Sequence, residues 1–167
     1  LGLFAATSSA SSDIKVGDFA LLDHAGKFHQ LSYYGDYKAV VISAQGLSGS
    51  GLAEDAANLS AVKSTFAEQS VKFFILNPQP ADARDAVAIK AGQLNLDIAI
   101  LLDQSQLVAE TLGLTRLGES VIVNAENMSV LYRGDTTSVA QVLPNLLAQS
   151  DVAVASVQPT GQLIDFA

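Results

Sequence analysis

Three short, mainly apolar runs stand out in the middle of the chain, at residues 39–43, 71–76 and 98–102, with Lys72 as a charged residue inside the second. Continuous apolar runs of this length, bounded by turn residues, are typical of parallel strands buried on both faces. The segments between them carry apolar residues at helical spacing, which predicts helices over 52–69 and 81–94. This alternation indicates a β-α-β-α-β unit with right-handed crossovers.

Further periodic segments flank this unit on both sides. Residues 16–31 predict an N-terminal β-hairpin, and two alternating runs at 120–124 and 129–133 predict a second hairpin near the C-terminus. Short helices are expected over 106–112 and 139–149. Because the parallel strands need helices on both faces, the predicted fold is a three-layer α/β/α sandwich with an N-terminal hairpin extension.

The length of 167 residues and the 49% hydrophobic content suit one domain with a substantial core. We place that domain at 14–150. Residues 1–13, apolar and then small, predict either a signal-peptide remnant or a docking arm. Residues 151–167 are expected to form a C-terminal extension that could pair at a sheet edge. Beyond the first residues no apolar run approaches the roughly 20 residues that span a bilayer, so no transmembrane segment is predicted.

Charge and cysteine content exclude several classes of function. Nine basic and seventeen acidic residues give a net charge of −8, which opposes binding to nucleic acid. The chain contains no cysteine, so thiol-dependent redox catalysis and a structural zinc site are excluded. With His24 and His29 as the two imidazoles, both expected to be exposed beside the first hairpin turn, no metal and no cofactor are predicted.

Several short motifs, in order along residues 14–166, resemble those of redoxins of the peroxiredoxin and thiol-disulfide reductase superfamily. Their order and spacing carry the resemblance more than any one of them does. It implies a thioredoxin-like fold. The matching segments are Val16-Gly-Asp-Phe19, Leu22-Asp-His-Ala-Gly-Lys27, Leu101-Leu-Asp103, Leu112-Gly-Leu-Thr-Arg116, Val121-Ile-Val-Asn124, Val130-Leu-Tyr-Arg-Gly134 and Pro159-Thr-Gly-Gln-Leu-Ile164.

The chain departs from the redoxin pattern at each chemical position. Ungapped matching places Leu47 and Ser48 on the family's Cys-Pro pair, and Leu117-Gly118 replaces its cis-proline turn. Gln162 stands where one envelope-associated branch has a C-terminal cysteine. Three separate losses favour an abandoned redox site over cysteines replaced by design. The resemblance therefore predicts a degenerate redox site of Gln45, Gly46, Leu47, Ser48, Leu117, Gly118 and Gln162.

The glycine-rich turn at 46–51 suggests a rival function, because a turn between a strand and a helix can hold a phosphate. It matches neither the Walker spacing nor G-x-G-x-x-G, and Glu54 and Asp55 oppose an anion. We favour a turn that relaxed when its thiol was lost. Binding of a nucleotide or small molecule here, or a thiol-independent antioxidant role, is the alternative. Arg116 and Glu119 are expected to form an ion pair that holds the degenerate turn.

These inferences favour a redox-inactive protein over an enzyme. The predicted role is a structural or accessory protein-binding subunit of a larger assembly, with a protein partner or a second copy of the chain. A periplasmic or otherwise extracytoplasmic location is expected. The candidate partner-binding residues are Tyr33, Tyr34, Tyr37, Pro159, Ile164 and Phe166.

Overall fold

The computed structural model of the protein describes residues 14–148 and 158–167. The predicted N-terminal arm at 1–13 lies outside the described residues, as do residues 149–157 of the expected C-terminal extension. The boundaries predicted for these segments remain predictions.

The first described element is the predicted N-terminal hairpin, formed by β1 (Ala20–Leu22) and β2 (Phe28–Gln30). Asp23 closes its turn by accepting hydrogen bonds from the backbone amides of Ala25 and Lys27, both at 2.9 Å. A 3-10 helix, Leu31–Tyr34, then leads into the main sheet.

A mixed sheet of five strands forms the middle layer, in the spatial order β5-β4-β3-β6-β7. The three predicted parallel strands lie side by side, and the C-terminal hairpin is added antiparallel to β3. All six residues of β3 are buried, as its continuous apolar run predicts. The strands are β3 (Ala39–Ala44), β4 (Val71–Asn77), β5 (Ala99–Leu102), β6 (Glu119–Asn124) and β7 (Ser129–Asp135).

Helices cover both faces of this sheet, so the predicted three-layer α/β fold with its N-terminal hairpin is confirmed. Apolar residues of α1, α2 and α4 pack on one face, and α3 packs on the other with the 3-10 helix and part of the C-terminal tail. None of the described helices is both long and apolar enough to cross a membrane. The helices are α1 (Leu52–Thr65), α2 (Arg84–Gln93), α3 (Leu107–Thr111) and α4 (Val139–Ala148).

Candidate functional site

The candidate site lies where β3 ends and α1 begins, beside the segment that leads into β6. The amide of Gly118 donates to the carbonyl of Ala44 at 2.8 Å, which holds the two segments together. Four residues of the predicted degenerate redox site line one cavity of about 210 Å³ at this junction. They are Gln45, Leu117, Gly118 and Gln162.

Gln45 and Asp55 form the buried polar contact of this cavity. The Gln45 side chain is 3% exposed, and its Nε2 atom donates to Oδ2 of Asp55 at 2.6 Å. Burial raises the pKa of the Asp55 carboxyl; the hydrogen bond from Gln45 opposes this shift, whereas the charges of Asp135 and Glu54 add to it. Oε1 of Gln45 is buried and has no hydrogen-bond partner within the described residues.

The loop that follows β4 closes the glycine-rich turn at 46–51. The remaining residues of the predicted degenerate redox site, Gly46, Leu47 and Ser48, lie in this turn. The amide of Leu47 donates to Oδ2 of Asp82 at 2.8 Å, and the amide of Ser48 donates to Oε1 of Gln79 at 3.2 Å. A Cβ on Gly46 would lie 1.9 Å from that same Oε1 atom, so a larger residue at position 46 would displace the Gln79 side chain from this contact. Two amides that could have held a phosphate are therefore already bonded.

The C-terminal tail pairs with the chain's own degenerate turn, and this pairing defines a groove along 115–117. The amide of Leu117 donates to the carbonyl of Gln162 at 2.8 Å, and the amide of Ile164 donates to the carbonyl of Thr115 at 2.9 Å. These bonds form an antiparallel bridge between Arg116 and Leu163. The described part of the tail thus pairs with the segment 115–117, which lies outside the named strands, and not with an edge strand of the five-stranded sheet as the sequence suggested.

Two further contacts fasten the tail in this groove. Ile164 is 8% exposed and belongs to the core cluster on the α3 face. Gln106 donates from Nε2 to the carbonyl of Asp165 at 2.7 Å and accepts from the amide of Ala167 at 2.9 Å. Sequence reasoning missed Gln106, because a glutamine before a short helix carries no local signal of a long-range contact.

The ion pair predicted between Arg116 and Glu119 is wrong. Nη1 of Arg116 instead donates to the carbonyl of Gly161 at 2.9 Å, and Oε1 of Glu119 accepts from the amide of Thr115 at 2.7 Å. Each side chain therefore bonds to a backbone group. The Glu119 side chain bonds to a residue of its own turn, whereas the Arg116 side chain bonds to the C-terminal tail.

The prediction that His29 is exposed in the hairpin turn is also wrong. His29 is 3% exposed: Nε2 lies 2.7 Å from Oδ2 of Asp23, and Nδ1 lies 2.7 Å from the hydroxyl of Tyr34. His24 is half-buried, and its Nδ1 accepts from the amide of Ile100 at 3.1 Å. His24 thus fastens the hairpin to β5, and His29 links the hairpin turn to the 3-10 helix.

The three candidate tyrosines occupy different environments. Tyr33 is 65% exposed and its ring centroid lies 6.1 Å from that of Phe28, which is itself exposed. The Tyr34 hydroxyl is hydrogen-bonded to His29. The Tyr37 ring packs edge-on against the Tyr34 ring, with the two ring centroids 5.6 Å apart. Of the tail candidates, Pro159 is half-buried, and Ile164 and Phe166 pack against the α3-face core.

Comparison with known proteins identifies the fold. No protein-family model and no curated protein matches the sequence. A hypothetical protein from Sinorhizobium meliloti is similar in structure, with a TM-score of 0.81 at 17% identity over 93% of this chain and 94% of that chain.

Two named redox proteins are also similar in structure. A peroxidoxin from Mycobacterium tuberculosis has a TM-score of 0.68 at 19% identity, over 81% of this chain and 95% of that chain. An exposed lipoprotein thioredoxin from Streptococcus pneumoniae has a TM-score of 0.65 at 15% identity, over 79% of this chain and 98% of that chain. Likeness at these identities is a likeness of fold, so this chain has the thioredoxin-like fold of the redoxins and carries it without a single cysteine.

Proposed function

We propose that this protein is a redox-inactive thioredoxin-fold protein that binds an extended segment of a partner, as an accessory subunit of a larger assembly. The observation that supports this most directly is the groove along 115–117, which holds an extended segment of the chain's own tail by backbone hydrogen bonds. Strand addition of this kind is a general mode of peptide recognition, in which backbone bonds supply affinity and side-chain pockets supply specificity.

The lost chemistry supports binding over catalysis. A thiol-disulfide or peroxidatic cycle needs a thiolate nucleophile, and the sequence has no residue that can supply one. At the site itself, Gln45 is engaged with Asp55, and Ser48 is engaged with Gln79 through both its amide and its hydroxyl. Neither histidine lines the cavity at this junction, and the hydrogen bonds of both lie at the N-terminal hairpin. No residue described there forms an activated nucleophile-base pair.

The groove has the features that a segment-binding site needs. The pairing edge at 115–117 is short and lies between α3 and β6, so a bound strand does not extend the main sheet. A Cβ on Gly161 would lie 1.7 Å from the carbonyl oxygen of Leu117, so the groove accepts glycine at this position. Three residues later Ile164 fills an apolar pocket. The groove therefore selects a Gly-x-x-apolar pattern.

We further propose that the protein belongs to an extracytoplasmic, envelope-associated assembly. The apolar-then-small composition of residues 1–13 and the fold likeness to an exposed lipoprotein thioredoxin support this location. The exposed pair of Tyr33 and Phe28 on the N-terminal hairpin is a second surface that a partner protein could cover.

The test is binding of a peptide in trans to the full-length chain. In the variant Gly161→Ala the chain's own tail meets the carbonyl of Leu117 and leaves the groove. A labelled peptide of the unaltered sequence 158–167 should then bind this variant saturably, and bind the unmodified protein about tenfold or more weakly, because its own tail competes. Fluorescence anisotropy measures both affinities.

The matched control is the same peptide carrying Gly161→Ala, which should not bind either protein. Ile164→Ala in the full chain serves as a second way to weaken the tail without introducing a clash, and circular dichroism checks that both variants fold. Equal affinity of the peptide for variant and unmodified protein, or no binding to either variant, would overturn the proposal.

A further inference from the structure

We propose that the cavity of about 210 Å³ beside the groove receives an ammonium or guanidinium group. The carrier is a lysine or arginine side chain of the segment bound in the groove, so the inference rests on the proposed function. It adds a charge requirement to the Gly-x-x-apolar pattern.

The charged side chains described in the lining of the cavity are all acidic, and Arg116 stands outside that lining with its Nη1 atom bonded to the carbonyl of Gly161. Glu54 and Asp55 from the first turn of α1 and Asp135 from the end of β7 line it, and no lysine, arginine or histidine does so among its described lining residues. Oδ1 of Asp135 accepts from the amide and the hydroxyl of Thr137, at 2.8 and 2.7 Å, and these bonds leave its charge uncompensated by a basic group. A cation entering here would relieve the repulsion among three carboxyl groups.

Gln45 provides a second, independent sign of a ligand. Its side chain is nine-tenths buried or more, it lines the cavity, and its Oε1 atom lacks a partner within the described residues. A buried acceptor that is left unbonded costs about 1–3 kcal/mol, so a hydrogen-bond donor brought by a ligand would be stabilising. Gly49, which also lines the cavity, is next to this atom: a Cβ on Gly49 would lie 3.4 Å from Oε1.

This combination favours an organic cation over an anion or a metal ion. The unbonded acceptor and the carboxylates call for a ligand rich in donors, and hydrogen bonds between ammonium or guanidinium and carboxylate are among the strongest in proteins. An anion would meet Glu54, Asp55 and Asp135. Within residues 14–148 and 158–167, no group of three or more His, Cys, Asp or Glu side chains is placed to hold a metal ion.

The position of the cavity indicates which residue of the bound segment supplies the cation. Thr160, Gly161 and Gln162 of the docked tail line the cavity. Gly161 faces the Leu117 carbonyl, where no side chain fits. Gln162 is exposed, carries an uncharged amide, and lines both this cavity and the neighbouring one at the loop after β4. A longer basic side chain at this register would place its charge among the carboxylates.

The test compares three peptides of sequence 158–167 on the full-length Gly161→Ala protein: one carrying Gln162→Lys, one Gln162→Glu and one Gln162→Met. We expect the lysine peptide to bind about tenfold more tightly than the methionine peptide and the glutamate peptide to bind more weakly than both. The preference should shrink as salt rises, because part of it is electrostatic.

Two variants of the protein test whether the cavity causes this preference. Asp135→Asn, made in the Gly161→Ala background, removes one charge, and Gly49→Ala in the same background places a methyl group in front of Gln45 Oε1. Each should reduce the lysine preference, measured as the ratio of the lysine-peptide affinity to the methionine-peptide affinity on the same variant; an unchanged ratio in both variants would overturn the role of the cavity. Butylammonium, titrated as a free amine against the unmodified protein with chemical shifts as readout, should bind no more tightly than the peptide-borne lysine.

The outcomes separate the two proposals. Equal binding of the three peptides would overturn the charge requirement and leave the groove intact. Failure of all three to bind would overturn the groove itself. Tight binding of butylammonium together with equal binding of the peptides would overturn the assignment of the cation to a bound segment.

Discussion

Truncating Ile164 to alanine should release the C-terminal tail from its groove without unfolding the protein. The side chain is 8% exposed and packs in the core cluster on the α3 face. The substitution removes three buried carbons at about 0.8 kcal/mol each, or roughly 2 kcal/mol in all. Because roughly 1.4 kcal/mol corresponds to a tenfold change, the docked-to-undocked ratio of the tail should fall by roughly 30-fold.

Amide hydrogen exchange measures this shift site by site. The amides of Ile164 and Leu117 donate to the carbonyls of Thr115 and Gln162, and both bonds break when the tail undocks. Their exchange should accelerate by roughly 30-fold. Amides in the pairing of β3 with β4 do not depend on the tail, and their exchange should stay unchanged.

Leu163→Ala is the matched control for this measurement. Leu163 is the neighbouring residue of the same tail, and its side chain is 58% exposed, so its truncation removes little buried surface. We expect exchange at Leu117 to change by less than about twofold in this variant. Equal acceleration by both variants, or undiminished protection in Ile164→Ala, would refute the reasoning that burial of Ile164 holds the tail.

Three other variants test the remaining contacts. His29→Ala should lower the free energy of unfolding in urea by about 3 kcal/mol, because it breaks a buried pair with Asp23; a loss within experimental error would contradict a structural role. Burial raises the pKa of Asp55, so its contribution to stability is complete below the unfolded value of 3.8 and is lost as the pH rises through the folded pKa. Asp55→Asn should therefore be more stable than the unmodified protein at pH 7, with the difference fading toward pH 4; a pH-independent difference would argue against it. Gln106→Ala removes the bonds to Asp165 and Ala167 and should speed amide exchange at Ala167. An unchanged exchange rate at Ala167 would contradict this and would mean that Ile164 alone holds the tail.

Local patterns in the sequence were sufficient to predict the layers and the order of the elements. The mainly apolar sequences of β3, β4 and β5 reflect burial on both faces over most of their length, which is a property of each strand by itself. The exclusion of thiol-dependent redox chemistry likewise follows from the sequence alone, because a chain without cysteine has no thiolate nucleophile in any fold. Helix ends were less accurate: α1 ends at Thr65 instead of 69, and α2 begins at Arg84 instead of 81.

The candidate site could be predicted in part. Gln45, Leu117, Gly118 and Gln162 were chosen because they match positions of one family pattern, and the fold does bring them to one cavity. The acidic members of that cavity were not predicted as a group, because Asp55 and Asp135 belong to elements eighty residues apart whose distance depends on sheet order.

Tertiary structure alone decided which polar groups meet. Arg116 and Glu119 are close in sequence, but one bonds to the tail and the other to its own turn. His29 is buried by Asp23 and Tyr34, although its position beside a turn suggested exposure. Sequence periodicity reports whether a position faces water or the core, which is a local property of a helix or strand. The partner of a hydrogen bond depends instead on where distant segments cross, and that is settled only when the layers pack.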